Sequence, residues 1–340
     1  MCLKDMQSQP PKIESAFQLG SLAIRNRIAL APMSGVTDLP FRTLAWEFGA
    51  GFVVTEMVAS RELVGNTAES WSRLQNSGIE PHIVQLAGRD PAYMAEGARI
   101  AEANGASAID INMGCPAKKV IGGLSGSALM REPDLALAIV DAVVRAVQVP
   151  VSVKMRLGWD ENSLNAPILA QRAEALGVRM ITVHGRTRMQ FYEGKADWDR
   201  IAEVRDAISV PLVANGDVET AEDIDGILRR SGADAVMIGR GAQGRPWHPG
   251  VLAGARGVPD SEEIAAIFER HYRLMLEFYG AELGLRQARK HVGWYLDRQA
   301  GAVEPAARGE VMTSRDAEFV IARVRDLIRS GATPPMCEAA

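Results

Sequence analysis

The chain has 340 residues, of which 47% are hydrophobic and 24% are charged, and its formal net charge is −4. This length predicts one large domain, or a large domain with a smaller one, and the composition is typical of a soluble globular enzyme. The acidic balance argues against a dedicated nucleic-acid-binding protein, which usually carries a basic surplus. An enzyme that acts on RNA can nevertheless concentrate its basic residues on one face.

The sequence pattern predicts neither a membrane span nor an export signal. No run approaches the ~20 consecutive apolar residues that span a bilayer, and the polar amino-terminal segment lacks the apolar core of a signal peptide. Three cysteines without regular spacing are typical of a reducing compartment. We therefore expect a cytoplasmic protein with mobile tails over residues 1–12 and 331–340.

Eight short apolar or alternating runs predict β-strands. They cover residues 28–33, 52–57, 82–87, 108–113, 151–156, 180–184, 212–216 and 235–239. Helical patterns separate many of them, for example at residues 134–147, 164–176 and 221–230. Strands alternating with helices predict an α/β protein with a parallel sheet, and eight such units predict a (β/α)8 TIM barrel. An open doubly wound sheet is the alternative.

The pattern changes after Trp247, because the remaining sequence predicts helices only. The candidate helices cover residues 261–279, 283–298 and 315–328, and residues 250–259 form a candidate linker. We therefore predict a catalytic barrel domain over residues 13–249, followed by a small all-α helical bundle domain over residues 250–330.

Cys115 directly follows the predicted strand 108–113. Catalysis in a barrel is built at the carboxyl ends of the strands, so this thiol is a candidate acid, base or nucleophile. Cys2 and Cys337 lie in the predicted tails, which leaves Cys115 without an evident metal or disulfide partner. The alternative is a buried small apolar residue, the commonest role of a free cysteine.

Polar side chains alternate into the predicted mouth of the barrel. In the strand 151–156, the period of two places Lys154 and Arg156 on the face opposite three apolar residues. A buried ammonium needs a partner, so Lys154 either forms a salt bridge with Glu56 or Asp110 or meets an anionic or electron-rich ligand. The inward-facing polar residues near other strand ends are Gln85, Asp110, Asn112, Thr182 and His184. Their coincidence at one rim predicts a ligand site.

The last two predicted strands end in glycine-containing turns, Asn215-Gly216-Asp217 and Gly239-Arg240-Gly241. The loops after strands seven and eight of a barrel commonly hold a phosphate through backbone N–H groups. The spacing of Gly239, Gly241 and Gly244 also matches the dinucleotide fingerprint, but no new βαβ unit follows it. We therefore expect phosphate contacts without a Rossmann fold.

The glycine-rich segment 117–130 follows the cysteine and contains Lys118 and Lys119. Such a segment is a candidate mobile lid over an anionic substrate, and a flexible solvated connector is the alternative.

A basic stripe lies further along the chain, where Arg286, Arg289 and Lys290 share one face of a predicted helix. Aromatic residues follow one turn later. This pattern is typical either of a solvated charged face or of a contact with a phosphate backbone.

These motifs, taken in their order along the chain, resemble those of the tRNA-dihydrouridine synthases, most closely the bacterial DusB-type branch. The matching segments are Ala31-Pro-Met-Ser-Gly-Val-Thr-Asp38, Gln85-Leu-Ala-Gly88, Asp110-Ile-Asn-Met-Gly-Cys-Pro-Ala-Lys-Lys119, Val153-Lys-x-Arg156, Val183-His-Gly-Arg186, Asn215-Gly-Asp217, Ile238-Gly-Arg-Gly241 and Arg289-Lys-His-x-Gly-Trp-Tyr295. The likeness spans about residues 15–300, and Asn-x-Gly-Cys-Pro together with the other segments is highly specific.

The resemblance implies a barrel that binds flavin mononucleotide (FMN) and reduces the C5=C6 bond of particular uridines in tRNA, with NADPH as reductant. Hydride from the reduced flavin would reach uracil C6, and the thiol of Cys115, with a pKa of ~8.5, would protonate C5. The implied isoalloxazine contacts are Pro32, Met33, Ser34, Gln85, Lys154 and His184. The implied ribityl and phosphate contacts are Asn215, Gly216, Asp217, Gly239 and Arg240. The implied uracil contacts are Asn112, Arg156 and Arg186, and the implied tRNA contacts are Lys118, Lys119, Arg286, Arg289 and Lys290.

Two other functions stay open. One is an FMN-dependent reductase or dehydrogenase of a free pyrimidine that resembles dihydroorotate dehydrogenase, although the asparagine usual after Cys-Pro in that family is replaced by Ala117 here. The other is a non-catalytic RNA-binding or regulatory protein on the same barrel, which would need neither Cys115 nor Lys154.

Overall fold

The computed structural model describes residues 17–117 and 125–331. A short antiparallel hairpin, β1 (Phe17–Leu19) and β2 (Leu22–Ile24), precedes a nine-stranded sheet. The strands of this sheet are β3 (Ile28–Leu30), β4 (Phe52–Val53), β5 (Val58–Ala59), β6 (Ile83–Ala87), β7 (Ala108–Met113), β8 (Val151–Arg156), β9 (Met180–His184), β10 (Leu212–Asn215) and β11 (Ala235–Ile238). All of these strands pair in parallel.

The sheet closes on itself. Its strand order is β4-β3-β11-β10-β9-β8-β7-β6-β5, and a parallel bridge between Val54 and Ile83 joins its two ends. The predicted (β/α)8 barrel is therefore confirmed. The second predicted strand, residues 52–57, is shorter in the structure, where β4 covers Phe52 and Val53 and β5 begins beyond the predicted range at Val58. Between them, the hydroxyl of Thr55 accepts a hydrogen bond from the N–H of Gln85.

Helices follow most barrel strands and cover the outer face of the sheet. They are α1 (Leu39–Glu47), α2 (Ser60–Val64), α3 (Ala68–Leu74), α4 (Pro91–Ala103), α5 (Pro133–Ala146), α6 (Ala166–Ala175), α7 (Asp199–Ala207), α8 (Ala221–Ser231) and α9 (His248–Leu252). The helical region follows with α10 (Ser261–Tyr279), α11 (Ala281–Gln299), α12 (Pro305–Thr313) and α13 (Ala317–Gly331). Within the described ranges, no helix is long and apolar enough to cross a membrane.

The two ends of the barrel differ in chemistry. The end that holds the strands' amino termini is filled by apolar side chains such as Phe52 and Val213, and the hairpin closes it with Leu19 and Ile24. The outward-facing side chains of the strands pack against the helices, as the period of two requires. The polar inward-facing residues are therefore left at the opposite, carboxyl end.

The helical region has a hydrophobic cluster of its own, with Phe268 and Tyr295 near its centre. The division into domains at residues 13–249 and 250–330 is our proposal. The predicted linker overlaps α9, and α12 has no counterpart among the predicted helices because Val311 is its single buried residue. The predicted tails lie outside the described residues, except for Gly331 at the end of α13.

The start of α4 allows a direct test of helix capping. The carboxylate of Asp90 accepts hydrogen bonds from the N–H groups of Ala92 and Tyr93 at 2.9 and 3.3 Å. We expect Asp90→Ala to lower the free energy of unfolding by about 1 kcal/mol, measured by urea denaturation. The control is Asp134→Ala in the first turn of α5, a helix without a side-chain cap bond in the described chain, where the carboxylate meets the exposed guanidinium of Arg172 at 3.4 Å. It should lose less than about 0.5 kcal/mol, and equal losses in the two variants would contradict the cap.

Candidate active site

A cavity of about 820 Å³ opens at the carboxyl ends of the barrel strands. Most barrel strands, or the turns that follow them, contribute to its wall. The predicted site residues that line it are Pro32, Met33, Ser34, Gln85, Asn112, Cys115, Lys154, Arg156, His184, Asn215, Gly216, Asp217, Gly239 and Arg240. The tertiary structure therefore brings together most of the residues that the sequence analysis selected.

A chain of side-chain hydrogen bonds leads from the barrel interior to the loop of Cys115. The carboxylate of Asp110 accepts from Ser152 Oγ and from Gln85 Nε2, both at 2.7 Å. Asn112 Nδ2 donates to Gln85 Oε1 at 2.7 Å, and Asn112 Oδ1 accepts from the Cys115 N–H at 3.0 Å. Buried polar groups are stable only when they are paired in this way, so this series of hydrogen bonds sets the position of the cysteine backbone.

The thiol of Cys115 lies half-buried in the cavity wall. Burial raises its pKa, and this outweighs the opposing effects of the Ala117 N–H and the charges of Arg156 and Lys154. The thiol is therefore neutral at pH 7. Across the described residues, we find no group of three or more His, Cys, Asp and Glu side chains that could hold a metal ion.

Lys154 donates a hydrogen bond from Nζ to Asn215 Oδ1 at 3.1 Å. Within the described chain it forms no salt bridge with Glu56, Asp110 or any other carboxylate. The salt-bridge alternative is therefore wrong for this structure. Burial, followed by the charge of Arg156, lowers the pKa of Lys154 to about 8. The ammonium thus faces the cavity with one neutral partner.

His184 is buried beside the turn that contains Gly216. Burial, with several nearby cations, lowers the pKa of His184 well below its usual value, so its ring is neutral. Its Nε2 lies 3.4 Å from Nη1 of Arg186, which assigns the acceptor role to Nε2 and the proton to Nδ1. Gly216 has a φ of +129°, and a Cβ there would lie 2.6 Å from the Cβ of Ala196. Only glycine fits at this turn.

Arg186 lies behind the cavity wall. Its Nη1 and Nη2 donate to the carboxylate of Asp217 at 2.9 and 2.6 Å, and its other donors meet the carbonyls of Glu193 and Gly194 and the ring of His184. All of its donors are therefore used, and the predicted uracil contact has none left in this structure. Burial acts to raise the pKa of Asp217, but hydrogen bonds and the charge of Arg186 hold it below its usual value.

Arg156 is also buried, but its guanidinium reaches the cavity. Nε donates to the carbonyl of Gly114, and Nη1 donates to the carbonyls of Thr187 and Phe191, each at 2.8 Å. Among the described residues, Nη2 has no acceptor. The structure therefore leaves this guanidinium one nitrogen that can meet a ligand.

Two aromatic residues in the loop after β9 were not selected from the sequence, although they line the cavity. Tyr192 is 53% exposed, and its ring centre lies 5.6 Å from the guanidinium carbon of Arg156 and 5.1 Å from that of Arg240. Phe191 has a φ of +49°, a strained conformation for a residue other than glycine. The feature of the sequence that could have identified them is a pair of aromatic residues in the loop after a barrel strand, where functional residues concentrate.

The two glycine-containing turns lie side by side. Arg240 Nη2 donates to Asp217 Oδ1 at 3.1 Å, which joins the turns. In the described part of the chain, the N–H groups of Gly239, Arg240 and Gly241 have no hydrogen-bond acceptor. Clustered N–H groups of this kind bind anions.

The predicted tRNA contacts are only partly described. Lys118 and Lys119 lie outside the described residues. The later part of their segment forms a buried 3₁₀ helix, Gly126–Arg131, so the lid prediction is wrong for that part. The stripe on α11 exists: Arg286 is exposed, whereas Arg289 and Lys290 are half-buried.

Comparisons with known proteins agree on one family. A family model described as Dihydrouridine synthase (Dus) matches residues 29–325. The probable tRNA-dihydrouridine synthase of Rhizobium leguminosarum bv. phaseoli is 66% identical over 311 residues, which cover 92% of this chain and 98% of that protein. The tRNA-dihydrouridine synthase B of Pseudomonas aeruginosa is 44% identical over 319 residues, 91% of this chain and 95% of that protein.

Among solved structures, morphinone reductase superposes with a TM-score of 0.53 at 15% sequence identity, covering 75% of this chain and 93% of its own. At this identity the likeness establishes the barrel fold alone. The family model and the sequence relatives extend over most of the chain and confirm the resemblance drawn from its motifs. The chain therefore belongs to the dihydrouridine synthase family of oxidoreductases.

Proposed function

We propose that the chain reduces the C5=C6 bond of specific uridines in tRNA to form 5,6-dihydrouridine, with FMN as cofactor and NADPH as reductant. The observation that carries this proposal is a neutral thiol, Cys115, in the wall of one cavity with a cation, Lys154, that forms no salt bridge to any described residue. Bound FMN would supply the hydride for uracil C6 after its reduction by NADPH.

Three features of the cavity fit FMN. Its volume of about 820 Å³ lies within the usual range for cofactor sites. The N–H groups of Gly239, Arg240 and Gly241 meet no acceptor among the residues that the structure describes, as a phosphate-binding turn requires. Lys154 would place a positive charge beside an electron-rich ring, which also offsets the cost of enclosing its ammonium.

The proposed role of Cys115 is that of a general acid. An acid must hold its proton at the working pH, and the raised pKa of this thiol keeps it protonated. Asn112 holds the cysteine backbone through its Oδ1, while Nη2 of Arg156, which has no acceptor in the described part of the chain, could donate to a uracil oxygen. The proton would pass from Sγ to C5 of the base.

Binding of tRNA must depend on local charge, because the whole chain carries a net charge of −4. Arg286 and Arg289 on α11 form no salt bridge within the described residues and are proposed contacts for tRNA phosphates. Lys118 and Lys119 stay in this proposal on the family resemblance alone. A target uridine would have to leave its stack to reach the cavity, so a surface for the rest of the tRNA is required. No observation favours the free-pyrimidine reaction.

The activity test uses tRNA that lacks dihydrouridine, incubated with purified protein, FMN and NADPH. Mass spectrometry of the nucleosides should find the gain of two hydrogens on uridine at a defined position. A yellow protein that oxidises NADPH without modifying tRNA would contradict the substrate proposal and retain the flavoenzyme proposal.

Replacing the proposed acid separates its role from cofactor binding. We expect Cys115→Ala to bind FMN and to be reduced by NADPH at the wild-type rate, because its backbone contacts do not need the thiol. Dihydrouridine formation should fall by about 100-fold or more, the usual effect of removing a general acid. Unchanged product formation in single-turnover assays would contradict the acid role.

The pH dependence tests Lys154. Its ammonium is charged below a pKa of about 8 and neutral above it, so the support that this charge gives to reduced flavin should be lost as the pH rises. The rate of flavin reduction by NADPH without tRNA should therefore fall in the wild type as the pH rises through the pKa of Lys154, which an electron-rich ring beside the ammonium would raise above about 8. In Lys154→Met the rate should be lower than that of the wild type where Lys154 is charged, approach it at high pH, and lack this step. Identical pH profiles for the two proteins would show that another group is responsible.

A further inference from the structure

The turn between β3 and α1, residues 33–38, connects the cavity to the helical region. The carbonyl of Met33 accepts hydrogen bonds from the N–H groups of Val36 and Thr37 at 2.9 and 3.0 Å, and the Met33 N–H donates to Thr37 Oγ1 at 2.8 Å. Met33 and Ser34 line the cavity on one side of this turn. These bonds couple the cavity side of the turn to its opposite side.

Lys290 of the helical region reaches the opposite side of the same turn. Gly35 has a φ of +73°, and a Cβ at this position would lie 3.4 Å from Nζ of Lys290. The N–H of Gly35 donates to Glu56 Oε1 at 2.5 Å, and Lys290 Nζ donates to Gln287 Oε1 at 2.9 Å. The ammonium therefore lies against the turn and not free in solvent.

The contact of Lys290 with the turn brings a positive charge near buried carboxylates. Asp38 and Glu56 are 2% and 5% exposed, so two carboxylates are buried close enough to repel each other. Arg42 and Lys290 are the cations that face them, and Lys290 interacts electrostatically with both carboxylates. Removal of a cation from such a group leaves a buried charge without compensation.

The helical region also contacts the end of the turn through a second side chain. The hydroxyl of Tyr279 donates to Asp38 Oδ2 at 3.0 Å, while Asp38 Oδ1 caps the N–H of Phe41 in α1. Two side chains from different helices thus meet one six-residue turn of the barrel. The conformation of that turn depends on the helical region.

We propose that Lys290 is a positioning residue of the cofactor cavity: its ammonium holds Gly35 and Glu56, and through them the backbone of Met33 and Ser34. It does not serve as a contact for a tRNA phosphate. The inference rests on the proposed function, in which the Met33 and Ser34 backbone meets the isoalloxazine ring. The helical region then completes the cofactor site as well as binding tRNA.

The test measures FMN binding and the absorption spectrum of bound FMN in the absence of tRNA. Lys290→Gln should weaken FMN binding by about tenfold, within the range of coupling between contacting residues, and should shift the flavin absorption bands. Lys290→Arg, which keeps the charge, should restore most of the affinity. The matched control is Arg315→Gln, which removes one exposed positive charge of the helical region and has no salt bridge in the described chain; its FMN affinity should stay within about twofold of the wild type.

Two results would overturn the proposal. One is an unchanged FMN affinity and spectrum in Lys290→Gln together with a raised KM for tRNA, which would make Lys290 a phosphate contact. The other is additivity of Lys290→Gln and Glu56→Gln in a double-mutant cycle on the free energy of unfolding, because an electrostatic interaction between the two side chains requires coupling.

The cycle also separates this inference from the proposed function. A wild-type protein that binds no FMN would contradict the proposed function, whereas the cycle on unfolding would still decide whether Lys290 supports Glu56. Thermal unfolding and circular dichroism identify any variant that fails to fold. If Lys290→Gln fails to fold, the test uses Lys290→Arg instead, compared in the wild-type protein and in Glu56→Gln.

Discussion

Three cations, Lys154, Arg156 and Arg186, lie in or directly behind the mouth of the barrel, and the polar groups around them are arranged to stabilise their charges. Removing such groups from water costs several kcal/mol each unless hydrogen bonds and opposite charges replace the lost hydration. Arg186 is fully paired with Asp217 and backbone carbonyls. Among the described residues, Arg156 retains one unpaired nitrogen, and Lys154 has a single neutral partner. The described partners thus become fewer from Arg186 to Arg156 and Lys154, so the two cations that face the cavity have the fewest hydrogen bonds.

The same charges explain why the cavity contains both a neutral acid and a neutral imidazole. Positive charge near His184 opposes its protonation, and burial acts in the same direction. For Cys115 the two effects oppose each other, and burial prevails, so the thiol keeps its proton. A site that must deliver a proton while it stabilises negative charge needs this combination, because a thiolate would be unable to donate. In the proposed reaction the cations would therefore supply charge, and the cysteine would supply the proton.

The barrel and the helical region are linked by more than their apolar contact. Tyr279 and Lys290 meet the turn at residues 33–38, whose inner side forms part of the cavity wall. An appended bundle that served only to hold a large substrate would not need to compensate buried carboxylates of the barrel. In the role proposed for Lys290, the contact makes the geometry of the cavity dependent on a region that is distant in sequence.

The sequence by itself determined the strands, the mouth of the barrel and most of the residues that line it. A period of two in a strand states which side chains share a face, and the fold rule for barrels states which end of the strand carries the chemistry. Lys154, His184 and Asn215 could be selected on these grounds, and the order of motifs around Cys115 indicated the family. The tertiary structure decided which polar groups are still free to meet a ligand. Arg186 is paired with Asp217, which follows the next strand. Lys290 lies near Gly35, and Tyr192 reaches the cavity from an irregular loop. Periodicity reports the direction of a side chain, whereas its hydrogen-bond partners come from segments far along the chain, and only folding brings those segments together.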